Sequence, residues 1–516
     1  MQRKKIPVID LFAGPGGLGE GFSSIFDEDG SRRFDVTVSI EKEEIAHRTL
    51  SLRALFRSFP KEHVPDCYYD YLRGSITREE LFNHPDIPEE SRLAAQEAKC
   101  AELGVTPHQE IDGWIRNALD GVKEWVLIGG PPCQAYSLAG RSRMRPSDSE
   151  KFEKDKRHFL YTEYLRIIKE FGPAVFVMEN VKGILSSKHG GSPIFDRIIN
   201  DLRDPGNGFK YQVRSFVVGS EEPSPMDYLI QSEKFGLPQA RHRVILFGIR
   251  SDLAKSAWRL LGEPSKFLLK EAGRTVGVCD ALAGLPALRS RLSREPDSRE
   301  AWLSVVKNAS KGLKDWCAPL REKIEDEMAK ALCKSQAISS FGARFIKQSV
   351  PLGVDMPKNL RDWVGDPRLG GVIQHEARSH MRSDLDRYMF ASCFAKVQGY
   401  SPTLPLFPPR LLPAHGNMAA EQIPFIDRFR VQVGNQPATT VVSHIAKDGH
   451  YYIHYDPAQC RSLTVREAAR IQTFPDNYLF EGNRTQQYWQ VGNAVPPFLA
   501  RQIAEVVVDF LDSSKC

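Results

Sequence analysis

The first 250 residues alternate between short apolar runs and longer stretches in which apolar and polar residues mix. The short runs predict buried strands at residues 7–12, 36–40, 125–128, 174–178, 211–218 and 244–249. The mixed stretches have the spacing of helices at residues 18–26, 43–59 and 158–171. Strands that alternate with helices are typical of α/β proteins, so we predict a doubly wound sheet accompanied by a smaller, irregular domain.

The pattern changes after residue 250. Residues 289–345 are basic and helical in pattern, and residues 350–425 are rich in proline, glycine and aromatic residues. Residues 438–451 predict a hairpin with polar residues near its Asp448-Gly449 turn, and helical patterns return at 464–473 and 498–511. We therefore predict a first domain over 1–250, a second over 251–455, and a segment 456–516 that returns to the first.

Two stretches suggest no clear chemistry. Residues 61–109 are charged and irregular, with helices predicted at 77–83 and 89–102. Residues 374–380 contain His375 and His380 among other polar side chains, and both a solvated helix face and a cluster of hydrogen-bond donors are compatible with them.

The candidate chemistry lies where predicted strands end. Cys133 follows the strand 125–128 after two glycines and two prolines, so it is held on a loop at the edge where α/β sheets carry their chemistry. The next strand ends in Glu179, which makes that carboxyl a candidate general acid. From these residues alone, a reactive and a structural Cys133 both remain open, and Glu179 could be an ordinary surface charge.

A glycine loop follows the first strand, at Gly14, Gly16 and Gly17. Such a loop lets a ligand approach the backbone closely, although a plain tight turn has the same composition. The GxGxxG spacing of a dinucleotide site is absent, which argues against a nicotinamide oxidoreductase. Glu41 ends the second strand, where an acid can accept hydrogen bonds from a ribose.

Composition narrows the class of protein. The 516 residues are 41% hydrophobic and 26% charged, which supports a large folded core. Nine cysteines are scattered without a CxxC pair, so we expect a reducing compartment, no disulfide framework and no metal site. No apolar run reaches the ~20 residues of a membrane helix. The net charge of +5 is compatible with a nucleic-acid partner without requiring one.

Taken in order, these motifs resemble those of the DNA (cytosine-5) methyltransferases. The resemblance rests on Asp10-Leu11-Phe12-Ala13-Gly14 with Gly16 and Gly17, Glu41, Asp112, Pro131-Pro132-Cys133-Gln134, Asp155 with Arg157 and Leu160, Glu179-Asn180-Val181, Gln239 with Arg241 and Arg243, Arg466-Glu467 through Phe474-Pro475, and Gln490 with Gly492-Asn493-Ala494-Val495-Pro496. It covers about residues 6–250 and 438–508, and residues 251–455 correspond to a target-recognition domain.

The resemblance implies an S-adenosylmethionine-dependent enzyme with a Rossmann-like sheet. Its catalytic residues would be Cys133 as nucleophile, Glu179 as proton donor, and Arg241 and Arg243 beside the base and a nearby phosphate. Its residues for S-adenosyl-L-methionine would be Asp10, Phe12, Gly14, Gly16, Gly17, Glu41, Asp112, Pro132, Leu160, Asn493 and Val495.

The implied substrate is a cytosine flipped out of double-stranded DNA. The expected DNA contacts are Gln134, Ser137, Arg141, Arg143, Gln239, Thr440, Ser443, His444 and Lys447. The implied setting is the bacterial cytoplasm, where a monomeric enzyme would modify the site of a separate restriction endonuclease, with no membrane association. The same chemistry on RNA, and an inactive DNA-binding scaffold, are the alternatives.

Overall fold

The computed structural model describes residues 4–60, 62–132, 160–189, 192–255, 266–314, 316, 318–348, 356–413 and 425–514. The strands are β1 (Ile6–Leu11), β2 (Phe34–Glu41), β3 (Ala98–Cys100), β4 (Val126–Gly129), β5 (Val175–Val181), β6 (Lys188–His189), β7 (Ser192–Pro193), β8 (Tyr211–Arg214), β9 (Leu229–Gln231), β10 (Gln239–Ala240), β11 (His242–Arg250), β12 (Arg291–Leu292), β13 (Gly342–Lys347), β14 (Gly371–Glu376), β15 (Ser379–His380) and β16 (Ala438–Thr439).

The helices divide between the sheet and the later part of the chain. They are α1 (Gly17–Phe22), α2 (Glu44–Arg57), α3 (Asp66–Arg73), α4 (Arg78–Phe82), α5 (Glu89–Ala94), α6 (His108–Leu119), α7 (Leu160–Phe171), α8 (Ile194–Arg203), α9 (Val278–Leu282), α10 (Arg299–Asn308), α11 (Arg321–Ser335), α12 (Lys358–Val364), α13 (Arg382–Gln398), α14 (Val465–Ile471), α15 (Arg484–Asn493) and α16 (Pro497–Ser513).

A mixed sheet with strand order β3-β2-β1-β4-β5-β11-β8 organises the first part of the chain, and β9 also pairs with β11. The five strands from β3 to β5 run parallel, whereas β11 is antiparallel to β5, β8 and β9. The predicted α/β fold is confirmed. Five parallel strands bring their carboxyl ends to one edge, which is where the sequence places its candidate chemistry.

Side chains that alternate along each strand build one apolar layer on each face of this sheet. Val8 and Val126 lie on the face covered by α1 and α16, while Ile9 and Leu127 lie on the face covered by α6, α7 and α8. Because both faces are covered, the central strands are apolar at nearly every position. The C-terminal helix α16 is therefore an integral part of the core that covers the central sheet.

The region from 251 to 455 contributes to several cores. Helices α10, α11 and α13 pack around their own apolar cluster. Residues of 267–276 and 356–364 instead join the core of the central sheet, and α9 packs with α14 and α15. The three predicted domain ranges, 1–250, 251–455 and 456–516, stay predictions, and the middle one contacts the central sheet at two separate places.

Two predicted elements are wrong, and of the two alternatives for residues 374–380 the solvated helix face is excluded. The helix expected at 89–102 ends at Ala94 and is followed by β3, which extends the sheet beside β2. The hairpin expected at 438–451 is instead the two-residue strand β16, which pairs with β10, followed by a short 3₁₀ helix at Ser443–Ala446. His375 and His380 lie on strands β14 and β15, and both are buried.

Helix α15 was not expected, because most of its residues are polar and they give no apolar periodicity. Its buried polar side chains find partners in the surrounding structure, and Gln490 accepts a hydrogen bond from Thr49 at 2.7 Å. Within the described ranges, no helix is long and apolar enough to cross a membrane.

Candidate active site

The carboxyl ends of β1, β2, β4 and β5 lie side by side. Leu11 at the end of β1 pairs with Ile40 of β2 on one side and with Gly129 of β4 on the other. Gly129 in turn pairs with Met178 of β5. The next residue on each strand therefore lies at a common edge, namely Phe12, Glu41, Gly130 and Glu179.

The loop from Phe12 to Gly17 follows β1 with an unusual backbone. Phe12, Gly14 and Gly16 have φ angles of +57°, +58° and +95°, in the left-handed region that favours glycine. At Gly17, a Cβ atom would lie 2.1 Å from the carbonyl oxygen of Val495, so only glycine allows the C-terminal segment to approach the loop. No described atom lies within 4 Å of the corresponding position at Gly14, which leaves that part of the loop open to a ligand.

Glu41 is fixed at the end of β2 by backbone donors. Its Oε2 accepts a hydrogen bond from the Gly14 N–H at 2.8 Å, and its Oε1 accepts one from the Glu43 N–H at 2.8 Å. Burial raises the pKa of this carboxyl, although the two backbone donors oppose the shift. Each oxygen retains a further acceptor position, which suits the two hydroxyls of a ribose.

Asp10 is placed behind this loop, not on its surface. Its side chain is fully buried on the face of the sheet that α1 covers, and burial raises its pKa to about 8. The prediction that Asp10 contacts a cofactor directly is therefore wrong. Asp10 instead supports the glycine loop from below.

Glu179 and Asn180 link β5 to the loop that leads to Cys133. Asn180 donates a hydrogen bond from Nδ2 to the carbonyl oxygen of Pro131 at 3.3 Å. A Cβ atom on Gly130 would lie 2.9 Å from Glu179 Oε2, so the carboxylate lies directly against this loop. Cys133 itself lies outside the described residues. The structure therefore shows the carboxylate and the base of the loop side by side.

Arg243 approaches the same carboxylate from the neighbouring strand. Its Nε lies 2.8 Å from Glu179 Oε1, and both side chains are nearly buried. Burial lowers the pKa of Arg243, and the carboxylate of Glu179 opposes that shift. A buried cation and anion in direct contact form a fixed polar pair at the sheet edge.

Arg241 and Gln239 do not face this pair. Arg241 is 3% exposed and donates hydrogen bonds to the carbonyl oxygens of Val441 at 2.7 Å and Gly492 at 3.4 Å. Gln239 is fully buried, and both ends of its amide are paired. The predictions that Arg241 holds the target base and that Gln239 contacts DNA are therefore wrong. Both side chains fix the backbone around Val441.

Asp112 is also engaged elsewhere. It lies on α6, where its carboxylate accepts a hydrogen bond from Arg166 at 2.7 Å. The strand that continues this edge of the sheet is β3, and the Ala101 N–H after it donates to the carbonyl oxygen of Glu41 at 3.0 Å. The end of β3 was missed because a three-residue strand containing Lys99 carries no apolar pattern.

The C-terminal segment closes the far side of the glycine loop. The backbone of Val495 packs on Gly17, and Asn493 is exposed at the end of α15. Pro132 and Leu160 are half-buried, and Leu160 lies 3.6 Å from the Cβ position of Gly104 in the loop after β3. These four residues come from three separate segments of the chain, at Pro132, at Leu160 and at Asn493 with Val495.

A family model of the C-5 cytosine-specific DNA methylases matches residues 104–314 and 372–509. The chain belongs to this family. It is an enzyme that methylates cytosine at C5 in DNA, and the predicted family is confirmed.

Relatives match over nearly the whole chain. The type II methyltransferase M.Bpa9945I of Bacillus paralicheniformis is 34% identical, and the match covers 98% of this chain and 99% of that protein. The type II methyltransferase M.AgeI of Thalassovita gelatinovora is 27% identical over 97% and 98% of the two chains. A solved structure of a candidate DNA modification methyltransferase encoded within a prophage (E. coli) shares the fold, with a TM-score of 0.50 and 19% identity over 98% of this chain and 100% of that one.

The residues that we predict to contact DNA fall into two groups in this methyltransferase. Gln134, Ser137, Arg141 and Arg143 lie outside the described residues. The other group follows β16, where His444 and Lys447 are exposed and Ser443 begins the 3₁₀ helix. Thr440 is instead held by its own hydrogen bond, from Oγ1 to the carbonyl oxygen of Ala240 at 2.7 Å.

Proposed function

We propose that the chain transfers a methyl group from S-adenosylmethionine to C5 of a cytosine that is flipped out of duplex DNA, with Cys133 as the nucleophile. The observation that carries this mechanism is the contact of Glu179 with Arg243 at 2.8 Å, directly against the loop that leads to Cys133. A carboxyl beside a nucleophile loop can deliver a proton to the ring that the nucleophile attacks.

The chemistry follows from the low nucleophilicity of C5. The thiolate of Cys133 adds to C6 while Glu179 donates a proton to N3, which leaves C5 electron-rich. When bound, S-adenosylmethionine supplies the electrophilic methyl group that C5 takes up. A base then removes the C5 proton, the bond from C6 to Cys133 breaks, and Glu179 takes back the N3 proton. Arg243 keeps the carboxyl of Glu179 oriented throughout.

The residues at the glycine loop fit a methyl donor with a nucleoside part. The backbone at Gly14 is open, Glu41 has acceptor positions for a ribose, and Asn493 is exposed at the same edge. Phe12, Gly16, Gly17, Pro132, Leu160 and Val495 would form the rest of the pocket.

The target cytosine must be flipped out because its reacting atoms are buried inside the duplex. Cytosine C5 and C6 are not accessible to a protein thiol while the base is stacked in the duplex, so the nucleotide must rotate out. Ser443, His444 and Lys447 would contact the DNA beside the cavity left by the base. By analogy with its type II relatives, we infer a modification enzyme of a bacterial restriction system that acts as a monomer, with a separate endonuclease for the same site.

A mechanism-based trap tests the nucleophile. Fluorine at C5 of cytosine cannot leave as a cation, so in the presence of S-adenosylmethionine duplex DNA with 5-fluorocytosine in the target site should hold the enzyme, after methyl transfer, in a covalent complex that survives denaturing electrophoresis. Cys133→Ala should give no such complex while S-adenosylhomocysteine binds with unchanged affinity in calorimetry. Cys333→Ala, at an exposed cysteine on α11, should behave like the parent. A trapped complex with Cys133→Ala would refute the assignment.

The target site is found by sequencing. Random duplex DNA incubated with the protein and S-adenosylmethionine should acquire cytosines that resist bisulfite conversion within one short sequence. Light scattering of the complex with that duplex should give the mass of one chain plus one duplex. Protected cytosines in RNA alone would contradict the DNA assignment.

A further inference from the structure

A chain of buried amides joins two segments that the mechanism treats separately. The Val441 N–H donates to Gln239 Oε1 at 2.6 Å, and Gln239 Nε2 donates to Gln472 Oε1 at 2.8 Å. Gln472 Nε2 then donates to the carbonyl oxygen of Val491 at 2.7 Å. Both glutamine side chains are fully buried. The chain thus runs from the segment after β16 to the end of α15.

Close backbone contacts flank the same path. A Cβ atom on Gly492 would lie 2.3 Å from the Ser443 N, so α15 packs directly on the segment after β16. Val495 is in equally close contact with Gly17 of the glycine loop. Arg241 adds a second connection, because its guanidinium donates to carbonyl oxygens of both Val441 and Gly492. Residues 491–495 are therefore fixed between the glycine loop and residues 440–447.

Each amide in the chain has one donor end and one acceptor end, so the order of the bonds is fixed. A buried amide that loses its partner destabilises the fold, because its polar atoms remain desolvated without a hydrogen bond. If residues 440–447 moved away, Gln239 would lose its donor from Val441, and its reorientation would deprive Gln472 of a partner. Displacing residues 440–447 therefore also weakens hydrogen bonds near the end of α15.

We propose that Gln239 and Gln472 are positioning residues that hold residues 440–447 in register with the methyl-donor pocket. This inference rests on the proposed function for the identity of the two ends, since 440–447 are the predicted DNA-facing residues and 491–495 the predicted pocket wall. The physical connection between the two ends can be tested without DNA and without activity.

Amide hydrogen exchange measures the connection. Gln472→Met keeps the side-chain volume and removes both the acceptor for Gln239 and the donor to Val491. Peptides covering 440–447 should then exchange at least about tenfold faster, because about 1.4 kcal/mol of lost local stability is one factor of ten. The same increase is expected for residues 491–496. Gln239→Met should affect the same two segments.

Gln374→Met is the matched control. Gln374 is also buried, and its amide pairs at both ends with the backbone of Phe480, at 2.6 and 3.1 Å. That variant should speed exchange near Phe480 and leave 440–447 unchanged. Parent-like exchange of 440–447 in Gln472→Met would overturn the proposal.

Two further measurements distinguish positioning from a general loss of stability. Adding S-adenosylhomocysteine to the parent should slow exchange of 440–447, and this slowing should disappear in Gln472→Met. If Gln239→Met and Gln472→Met both fail to fold, the parent alone still tests the proposal: unchanged exchange of 440–447 on addition of S-adenosylhomocysteine would overturn it.

In steady-state assays, Gln472→Met should raise the KM for DNA and for S-adenosylmethionine together, whereas Gln374→Met should raise neither. If Gln472→Met speeds exchange in both segments but the parent transfers no methyl group, the proposed function is contradicted and the connection between the two segments still holds.

Discussion

At the scale of single residues, the role of a side chain depends more on the partner that it contacts than on its position along a strand. Arg241 and Arg243 are two positions apart, and the sequence predicted that both would face the target base. In the structure Arg243 contacts Glu179 at 2.8 Å, whereas Arg241 binds backbone carbonyl oxygens. The alternation of side chains was visible in the sequence, but the carbonyls of Val441 and Gly492 come from segments about 200 and 251 residues away.

Because Glu179 contacts Arg243 beside the loop that leads to Cys133, its loss should affect the chemical step and leave cofactor binding intact. In Glu179→Gln the amide keeps the shape of the side chain and cannot deliver the proton to N3, so kcat should fall by about 10²–10⁴. The affinity for S-adenosylhomocysteine, measured by calorimetry, should not change. Glu233→Gln is the control, because Glu233 pairs with His242 at 2.8 Å and not with Arg243. A kcat for Glu179→Gln within a factor of ten of the parent would contradict its role as acid.

At the scale of elements, the glycine loop and the C-terminal segment depend on one close approach. In Gly17→Ala the new methyl group would lie 2.1 Å from the carbonyl oxygen of Val495, so the segment must move away from the loop. We expect the Kd for S-adenosylhomocysteine to rise at least tenfold in calorimetry. Gly113→Ala provides the contrast, because α6 has no described atom within 4 Å of that position. It should stabilise the protein by about 0.5–1 kcal/mol, with unchanged affinity.

Elements could be predicted from the sequence where burial leaves a repeating pattern. The strands that include Val126–Gly129 and Val175–Val181 are apolar because both faces of the sheet are covered, so their positions were clear. Strand β3 and helix α15 escaped prediction because their polar residues are satisfied by distant partners, such as Thr49 for Gln490. For the same reason the sequence could not decide between a solvated helix face and a donor cluster at His375, since its partners Thr464 and Pro286 are each 89 residues away.

At the scale of the whole molecule, buried histidines join the middle of the chain to its C-terminal part. His375 on β14 lies between Thr464 Oγ1 at 2.9 Å and the carbonyl oxygen of Pro286 at 2.8 Å. His454 Nε2 lies 3.5 Å from Glu467 Oε1 on α14. Burial lowers the pKa of His375 and of His454 to about 4. Both rings are therefore neutral at pH 7 and pack at the contact between residues 286–380 and 450–467.

This arrangement predicts a loss of stability in mild acid. Because the pKa of each histidine is about 4 when folded and ~6.5 when unfolded, the unfolded chain binds protons first as the pH falls. The contribution of the two neutral rings to the free energy of unfolding is fully present above about pH 6.5. It should decline toward pH 4, by at most about 1.4 kcal/mol per pH unit for each ring. Urea midpoints at pH 7.5, 6 and 5 measure the decline.

The double variant His375→Gln with His454→Gln should be less stable at pH 7.5, and its stability should decline less steeply as the pH falls. His108→Gln, at an exposed histidine on α6, should keep the parental slope. Equal slopes in the parent and the double variant would assign the acid sensitivity to other groups.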